Sequence, residues 1–335
     1  MFITIFLLLP LLALLVTGNN TYALGTGDPS TLPAISPPFD YEGSIEKGLQ
    51  ESLPLTQFTI DYFSHGEIPQ DCKDRAKDHY NASDFEVFSV TYEDCGQPWI
   101  MCRLKSANVS ADTMATTFGQ MPLGMREFVK HVMVVKPEAL PGAAAISSGD
   151  TIMVTDESYR LFIFAHEMSH SIDSHQEVPW VTPPGKGGLS ISKHWQDEYS
   201  EDNATISGYA RSSWSENLAE TGIVALFHNV VPNGVHALAH DPSSVYHQYA
   251  TYQTAYRDII TPTKERNCTH RQRDSPLVHV DDDAVVFEPP ANHTRFKVGI
   301  TLMSPGVFQD HTCVLPSRKG INSVPRVGDA TWTVD

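Results

Sequence analysis

Cationic side chains are scarce in this chain. Lysine and arginine together number 23 against 40 aspartates and glutamates, which gives a net charge of −17 at pH 7. So acidic a surface repels phosphate backbones, and we therefore exclude nucleic acid as a partner. Beyond residue 23 the sequence also lacks internal repeats, low-complexity tracts and any apolar run long enough to cross a membrane.

One long apolar run is present, and it lies at the N-terminus. Phe2 to Val16 is almost continuously apolar, and small or polar residues follow it. Because this run is too short to span a bilayer comfortably, residues 1–23 are predicted to be a signal peptide, cleaved between Gly18 and Ala23. The alternative is an uncleaved signal anchor. After cleavage the protein is expected to be secreted and extracellular, without a membrane partner.

Sequons and cysteines are also typical of an exported protein. Beyond the predicted signal peptide, five N-x-[ST] sequons predict surface glycosylation at Asn81, Asn108, Asn203, Asn267 and Asn292. The cysteines are Cys72, Cys95, Cys102, Cys268 and Cys313. An oxidising compartment lets cysteines pair, and an odd number leaves one thiol over or pairs it between chains. Cys268 with Cys313 is the simplest C-terminal bridge, and the pairing among the other three stays open.

The mature chain is expected to form a single domain over residues 41–335, after a proline-rich lead-in at 24–40. Its catalytic core is predicted at about 110–260, followed by a disulfide-linked C-terminal extension. Strands are predicted at Phe85–Tyr92, Trp99–Leu104, His131–Val135 and Ile152–Thr155. Helices are predicted at Ala111–Phe118, from Asp156 or Ser158 to about Ser174, from Ser213 to about His228, and at Pro242–Ile259. Strands followed by packed helices indicate an α+β class.

The first long helix carries the run His-Glu-Met-Ser-His at 166–170. Leu161 to Ala165 are apolar on every side, which predicts a buried helix. His166 and His170 are four residues apart and share one face, while Glu167 is rotated from that face by about one hundred degrees. Buried polar groups are costly without partners, and a zinc ion would satisfy all three. The alternative is a pair of structural histidines on a helix that crosses the core.

A third histidine ligand is missing. In the pattern HExxHxxGxxH the corresponding positions are held by Asp173 and Gln176, and His175 stands one residue early. A catalytic zinc needs three protein ligands and an open position. Nearby acids lie at the helix end or in a polar segment where nothing is expected to bury them, namely Asp173, Asp197, Glu198 and Glu201.

The second long helix carries better candidates. Glu216 and Glu220 are four residues apart on one face and are flanked by apolar residues, so both need a cation or donors. A competing interpretation exists for the first of them. Ser213-x-x-Glu216 has the form of a capping box, in which the carboxylate would bind a backbone N–H instead of a metal.

HExxH on one helix followed by ExxxE on a second resembles the gluzincin metallopeptidases, and it is most similar to the catalytic domain of anthrax lethal factor and its relatives. The resemblance covers roughly His166 to Phe227. It implies a zincin-like fold, in which a small mixed sheet packs on the active-site helix beside a second ligand-bearing helix, with Ile152–Thr155 as the edge strand. It also implies three roles: Glu216 as third zinc ligand, Glu220 as the partner that orients a ligand histidine, and Tyr209 as donor to the developing oxyanion. As a secreted glycoprotein the chain is also similar to a fungal conidiation-associated family.

The sequence therefore predicts a secreted zinc metallopeptidase acting on protein or peptide substrates. Zinc would lower the pKa of bound water to about 7, and Glu167 would take a proton from that water and pass it to the leaving amine. Zinc and Tyr209 would share the oxyanion charge. Two alternatives stay open: an inactive zincin-like binding or structural protein, and a metalloenzyme that cleaves non-peptide amides or esters.

Overall fold

The computed structural model describes residues 27–64, 66–181, 187–238, 242–263, 266–281 and 294–296. The predicted signal peptide, Cys313 and the sequon at Asn292 lie outside these residues. Within the described ranges, no helix combines the length and the apolar character needed to cross a bilayer.

Helices and strands are interleaved along the described chain. The helices are α1 (Glu46–Ser52), α2 (Gln70–Ala76), α3 (Ala111–Gln120), α4 (Leu123–Arg126), α5 (Leu161–His175), α6 (Lys193–Glu201), α7 (Trp214–Val230) and α8 (Tyr246–Ile260). The strands are β1 (Phe58–Tyr62), β2 (Glu67–Pro69), β3 (Phe85–Tyr92), β4 (Cys95–Leu104), β5 (His131–Val135), β6 (Ala145–Ser148), β7 (Thr151–Thr155), β8 (Leu277–His279) and β9 (Thr294–Phe296). The predicted α+β class is confirmed.

Seven of the described strands form one mixed sheet in the order β6-β7-β5-β4-β3-β1-β9. β5 runs parallel to both of its neighbours, and the other pairs are antiparallel. The prediction that Ile152–Thr155 forms the edge strand is wrong, because β6 pairs antiparallel with β7 and lies outside it. Only four residues long, with two serines, Ala145–Ser148 is too short and too polar for its sequence pattern to indicate a strand.

The sheet separates two apolar clusters, and β5 contributes to both. Val132 and Val134 belong to the larger cluster, which also contains apolar residues of α3, α5 and α7. Met133 and Val135 face a smaller cluster on the opposite side. A strand with parallel neighbours and both faces covered is apolar throughout, which explains why His131–Val135 was recognisable from sequence. α5 therefore lies on the face of the sheet that contributes to the larger cluster.

α5 begins at Leu161, later than the predicted start at Asp156 or Ser158. Its first backbone N–H groups, those of Leu161 and Phe162, donate to the carboxylate of Glu46, each at 3.2 Å. Asp156 is used elsewhere, in an ion pair with Lys136 at 2.8 Å. The expected local cap is thus replaced by a side chain from a distant part of the chain. The negative charge of this carboxylate also interacts favourably with the positive end of the helix dipole.

α7 packs directly on α5 through a close approach at Gly222. A side chain at this position would collide with the hydroxyl of Ser169 on α5. The two helices can therefore approach closely enough for polar side chains on one to reach those on the other.

Four cysteines form two disulfides, Cys72–Cys102 and Cys95–Cys268. The expected bridge from Cys268 to Cys313 is wrong, because Cys268 pairs with Cys95, with Cα atoms 5.1 Å apart. Glu127 anchors the segment that follows Cys268, because its carboxylate accepts hydrogen bonds from the backbone N–H groups of Thr269 and His270. Glu127 and Thr269 are 142 residues apart in the sequence, so cysteine spacing alone does not predict this contact.

Candidate metal centre

The HExxH run lies on the part of α5 that is buried on all sides. Residues 161–173 are all buried, and His166, Glu167 and His170 are only 1%, 2% and 6% exposed. The prediction of a buried helix is confirmed over residues 161–173. Three ionisable side chains are therefore held away from water, where each needs a partner.

His166, His170 and Glu216 meet at a single point between α5 and α7. The Nε2 atom of His166 lies 3.0 Å from Oε2 of Glu216 and 3.2 Å from Nε2 of His170. Nε2 of His170 lies 3.4 Å from the same carboxylate oxygen. Ligands about 2.0–2.2 Å from a tetrahedral zinc are about 3.3–3.6 Å from one another. The three side chains thus form a ligand set that needs little movement to hold such an ion.

The outer nitrogens of both rings are tied to other side chains. Nδ1 of His166 lies 3.0 Å from Oε1 of Glu220, and the other oxygen of Glu220 accepts a hydrogen bond of 3.0 Å from the hydroxyl of Tyr41. Nδ1 of His170 lies 3.0 Å from the hydroxyl of Ser215. With its Nδ1 proton donated outward, each neutral ring directs the Nε2 lone pair toward the carboxylate of Glu216, as metal-binding histidines do.

The charges in the cluster favour a cation. Burial would lower the pKa of His166, but hydrogen bonds to Glu216 and Glu220 outweigh burial and raise it to about 10. Burial would likewise raise the pKa of Glu216, yet its hydrogen bonds to His166 and His170 lower it to about 2. Glu167 adds a third buried carboxyl group. At neutral pH the metal-free cluster therefore holds a proton on His166, and a divalent cation would replace that proton beside the buried carboxylates.

Glu167 is placed apart from the three converging side chains. Burial raises the pKa of its carboxyl group, and the nearby rings of His166 and His170 oppose that shift. Among the described residues no hydrogen-bond donor reaches this carboxylate. A buried carboxylate with a raised pKa and no donor is suited to accept a proton.

Tyr209 lies beside the cluster in a short 3₁₀ turn, Tyr209–Arg211, that precedes α7. Its ring centroid is 5.9 Å from that of His166. Burial, together with the charge of nearby Glu216, raises the pKa of the phenol. The hydroxyl therefore remains protonated at neutral pH and is able to act as a donor.

The N-terminus of α7 answers the question of the capping box. Ser213 does cap the helix, because its hydroxyl accepts a hydrogen bond of 3.1 Å from the backbone N–H of Glu216. The carboxylate of Glu216 points to His166 and His170 and not back to the cap. One half of the box is present, and the acidic side chain is left for the histidines.

Asp173 is one of the nearby acids that the sequence did not favour as metal ligands. It was expected to lie unburied at the end of the helix, but this prediction is wrong, because Asp173 is only 9% exposed. Its carboxylate accepts hydrogen bonds from the backbone N–H of Ser190 and from the hydroxyl of Tyr256, each at 3.1 Å. It holds the chain that follows α5 and takes no part in the histidine cluster.

Two residues of the site were not recognised from sequence. Ser215 stands next to Glu216, and a hydroxyl beside a candidate ligand could have been noted as a partner for a ring nitrogen. Tyr41 is far from every motif and carries no local signal, since it reaches Glu220 only through the fold.

Comparison with known proteins places the site within a matched region. The family described as Con-13, conidiation-specific protein Con-13, matches residues 43–270, which include every residue of the cluster on α5 and α7. Conidiation-specific protein 13 of Neurospora crassa is 30% identical over 180 residues, which are 53% of this chain and 51% of that protein. The chain thus spans about half the length of the curated relative that it matches. No solved structure shows a significant match.

Proposed function

The chain belongs to the Con-13 family, and we propose that it is a secreted zinc metallopeptidase with a zincin-like fold. Membership confirms the similarity to a conidiation-associated family noted from the sequence. The relative's name states no chemical activity, so the chemistry is argued from the site. The observation that carries the proposal is the convergence of His166, His170 and Glu216, whose ligand atoms lie 3.0–3.4 Å apart.

The donor set fits zinc. Two imidazole nitrogens and one carboxylate oxygen are the ligands of one common class of zinc hydrolase, the His₂Glu class. Calcium and magnesium prefer oxygen ligands in larger number, so they fit these residues less well. The order of the ligands, HExxH on α5 and ExxxE on α7, supports a gluzincin arrangement similar to that of anthrax lethal factor.

Zinc, when bound, supplies a Lewis acid that makes water nucleophilic near neutral pH. The chain's own residues supply the proton transfers. Glu167 accepts a proton from the attacking water and returns it to the amine that leaves. Its burial raises its pKa toward the working range of a general base, which suits this exchange.

Tyr209 stabilises the charge that develops on the carbonyl oxygen of the substrate. The raised pKa keeps the phenol protonated, and its ring lies beside that of His166, with centroids 5.9 Å apart. A fixed donor in a water-poor site is worth more than one in bulk water, because it needs no reorganisation during the reaction.

Secretion is part of the proposal. The apolar run at residues 2–16 supports a signal peptide, and the disulfides Cys72–Cys102 and Cys95–Cys268 are consistent with an oxidising compartment. Four sequon asparagines are exposed, as glycosylation requires: Asn81, Asn108, Asn203 and Asn267.

Metal content and peptidase activity together test the proposal. Protein secreted by a eukaryotic host is assayed for bound zinc, and for cleavage of casein and of a peptide library with and without a chelator. We expect about one zinc per chain and cleavage that the chelator abolishes. Zinc without cleavage of any peptide would favour an inactive binding protein, and cleavage confined to simple amides or esters would favour the non-peptide alternative. Absence of zinc would contradict the metal centre itself.

A further inference from the structure

Tyr41 reaches the candidate metal centre from the N-terminal part of the chain. It begins a single helical turn, Tyr41–Ile45, which Asp40 caps by accepting hydrogen bonds from the backbone N–H groups of Gly43 and Ser44. The ring of Tyr41 is buried and lies 5.7 Å from that of Phe162 on α5. Its hydroxyl donates a hydrogen bond of 3.0 Å to Oε2 of Glu220.

Glu220 stands between Tyr41 and a zinc ligand. Each of its oxygens has one partner: Oε1 meets Nδ1 of His166, and Oε2 accepts from Tyr41. A buried carboxylate with one donor on each oxygen cannot rotate without losing a hydrogen bond. The Tyr41 hydroxyl therefore fixes the direction in which Glu220 pulls the His166 ring.

The same hydroxyl lies near the segment that carries Tyr209. Ser207 is close enough to Tyr41 to influence its pKa, and the hydroxyl of Ser207 accepts a hydrogen bond of 3.0 Å from the backbone N–H of Ala210. Burial and the charge of Glu220 raise the pKa of Tyr41, so it remains a donor. The phenol thus contacts the partner of a ligand histidine and lies near the turn that presents Tyr209.

We infer that Tyr41 is a positioning residue of the metal centre, acting through Glu220 on His166. The inference rests on the proposed function, since it concerns the same site. It makes the N-terminal segment a working part of the centre, although Tyr41 lies outside the region matched by the family, residues 43–270. A purely structural role for Tyr41 would be packing against Phe162, which does not need the hydroxyl.

The test compares two tyrosine-to-phenylalanine variants of the secreted protein. Tyr41→Phe keeps the ring and removes the hydroxyl, and we expect zinc affinity, measured by chelator competition, to fall by about 10- to 100-fold. Tyr159→Phe is the matched control, because that buried hydroxyl donates to the carbonyl of Met114, away from the centre, at 3.0 Å. The control is expected to keep wild-type affinity. In cobalt-substituted protein, only Tyr41→Phe should shift the visible absorption bands of the metal.

A double-mutant cycle shows whether Tyr41 acts through Glu220. Glu220→Ala alone should weaken zinc binding, and adding Tyr41→Phe should then cost little more, because the intermediary is already gone. Equal losses from Tyr41→Phe in both backgrounds would overturn the inference, as would wild-type zinc affinity with an unchanged cobalt spectrum in the single variant. Those outcomes leave the proposed function intact. A wild-type protein that binds no zinc would instead overturn both together.

Discussion

The two candidate ligand histidines lie one turn apart on α5, yet their outer nitrogens meet different surroundings. Nδ1 of His166 faces the buried carboxylate of Glu220, whereas Nδ1 of His170 faces the half-buried hydroxyl of Ser215. A carboxylate makes the ring that it binds more basic and orients it strongly. A hydroxyl orients the ring with a weaker, neutral hydrogen bond.

The difference has a structural origin. Ser215 is adjacent to Glu216, so the support of His170 comes from the first turn of α7 alone. The support of His166 comes from one turn further into α7 and from Tyr41, which approaches from another part of the chain. The orientation of His166 therefore depends on contacts between distant parts of the chain, and that of His170 on one helix end. We expect the contacts of His166 to contribute more to metal affinity.

The largest effect is expected from removing what the two histidines share. Glu216 contacts both rings, so Glu216→Ala should abolish stoichiometric zinc binding and with it all peptidase activity. The loss should exceed the about 10- to 100-fold that is typical of removing an outer hydrogen-bond partner. Zinc per chain is measured after dialysis. Glu201→Ala, an exposed acid on α6, is the control and should keep its zinc.

Retention of one tightly bound zinc in Glu216→Ala would mean that another residue completes the site. In that case Glu216 would not be the carboxylate that both histidines share, and the contacts of each histidine would have to be compared again with the true third ligand identified.

Glu167→Gln separates the loss of catalysis from the loss of zinc binding. The variant keeps the shape of the side chain and both zinc-binding rings, but an amide cannot accept the proton, so turnover should fall by about a hundred- to ten-thousandfold while zinc stays bound. Peptide cleavage and zinc content are measured on the same sample, beside Glu201→Gln. Full activity in Glu167→Gln would end its assignment as the general base.

Tyr209→Phe tests whether the side of the site next to His166 also provides the donor that stabilises the oxyanion. Its ring lies next to that of His166, so loss of the hydroxyl should lower turnover by about a hundred- to a thousandfold without loss of zinc. The affinity for substrate should change less than the turnover does, because the donor is needed chiefly in the transition state. An unchanged rate would return Tyr209 to a packing role.

Local patterns in the sequence predicted the central elements well. The bounds of Phe85–Tyr92 and His131–Val135 match the structure, and Ser213 caps its helix as the capping pattern indicates. The apolar character of residues 161–165 predicted that α5 is buried, which in turn identified the histidines. These features share one property, since each depends on neighbours within a few residues.

Contacts between distant parts of the chain could not be predicted in the same way. The start of α5 depends on Glu46, the pairing of Cys268 on the anchoring of its segment by Glu127, and the support of His166 on Tyr41. Each partner comes from more than a hundred residues away, and no local pattern records such a contact. The apolar helix indicated only that Glu220 needs a partner, and its role beside a ligand histidine was implied by the family resemblance.

The smallest expected effects decide the comparison itself. Glu220→Ala and Ser215→Ala each remove the outer partner of one histidine, and we expect the first to weaken zinc by about 10- to 100-fold, or about 1.4–2.7 kcal/mol. Ser215→Ala should cost less, because water can replace a hydroxyl at a half-buried position but cannot replace a buried carboxylate. Zinc affinity is measured for both by chelator competition. If Ser215→Ala were the more damaging change, His170 would be the better-supported ligand, and the distant contact from Tyr41 would serve packing alone.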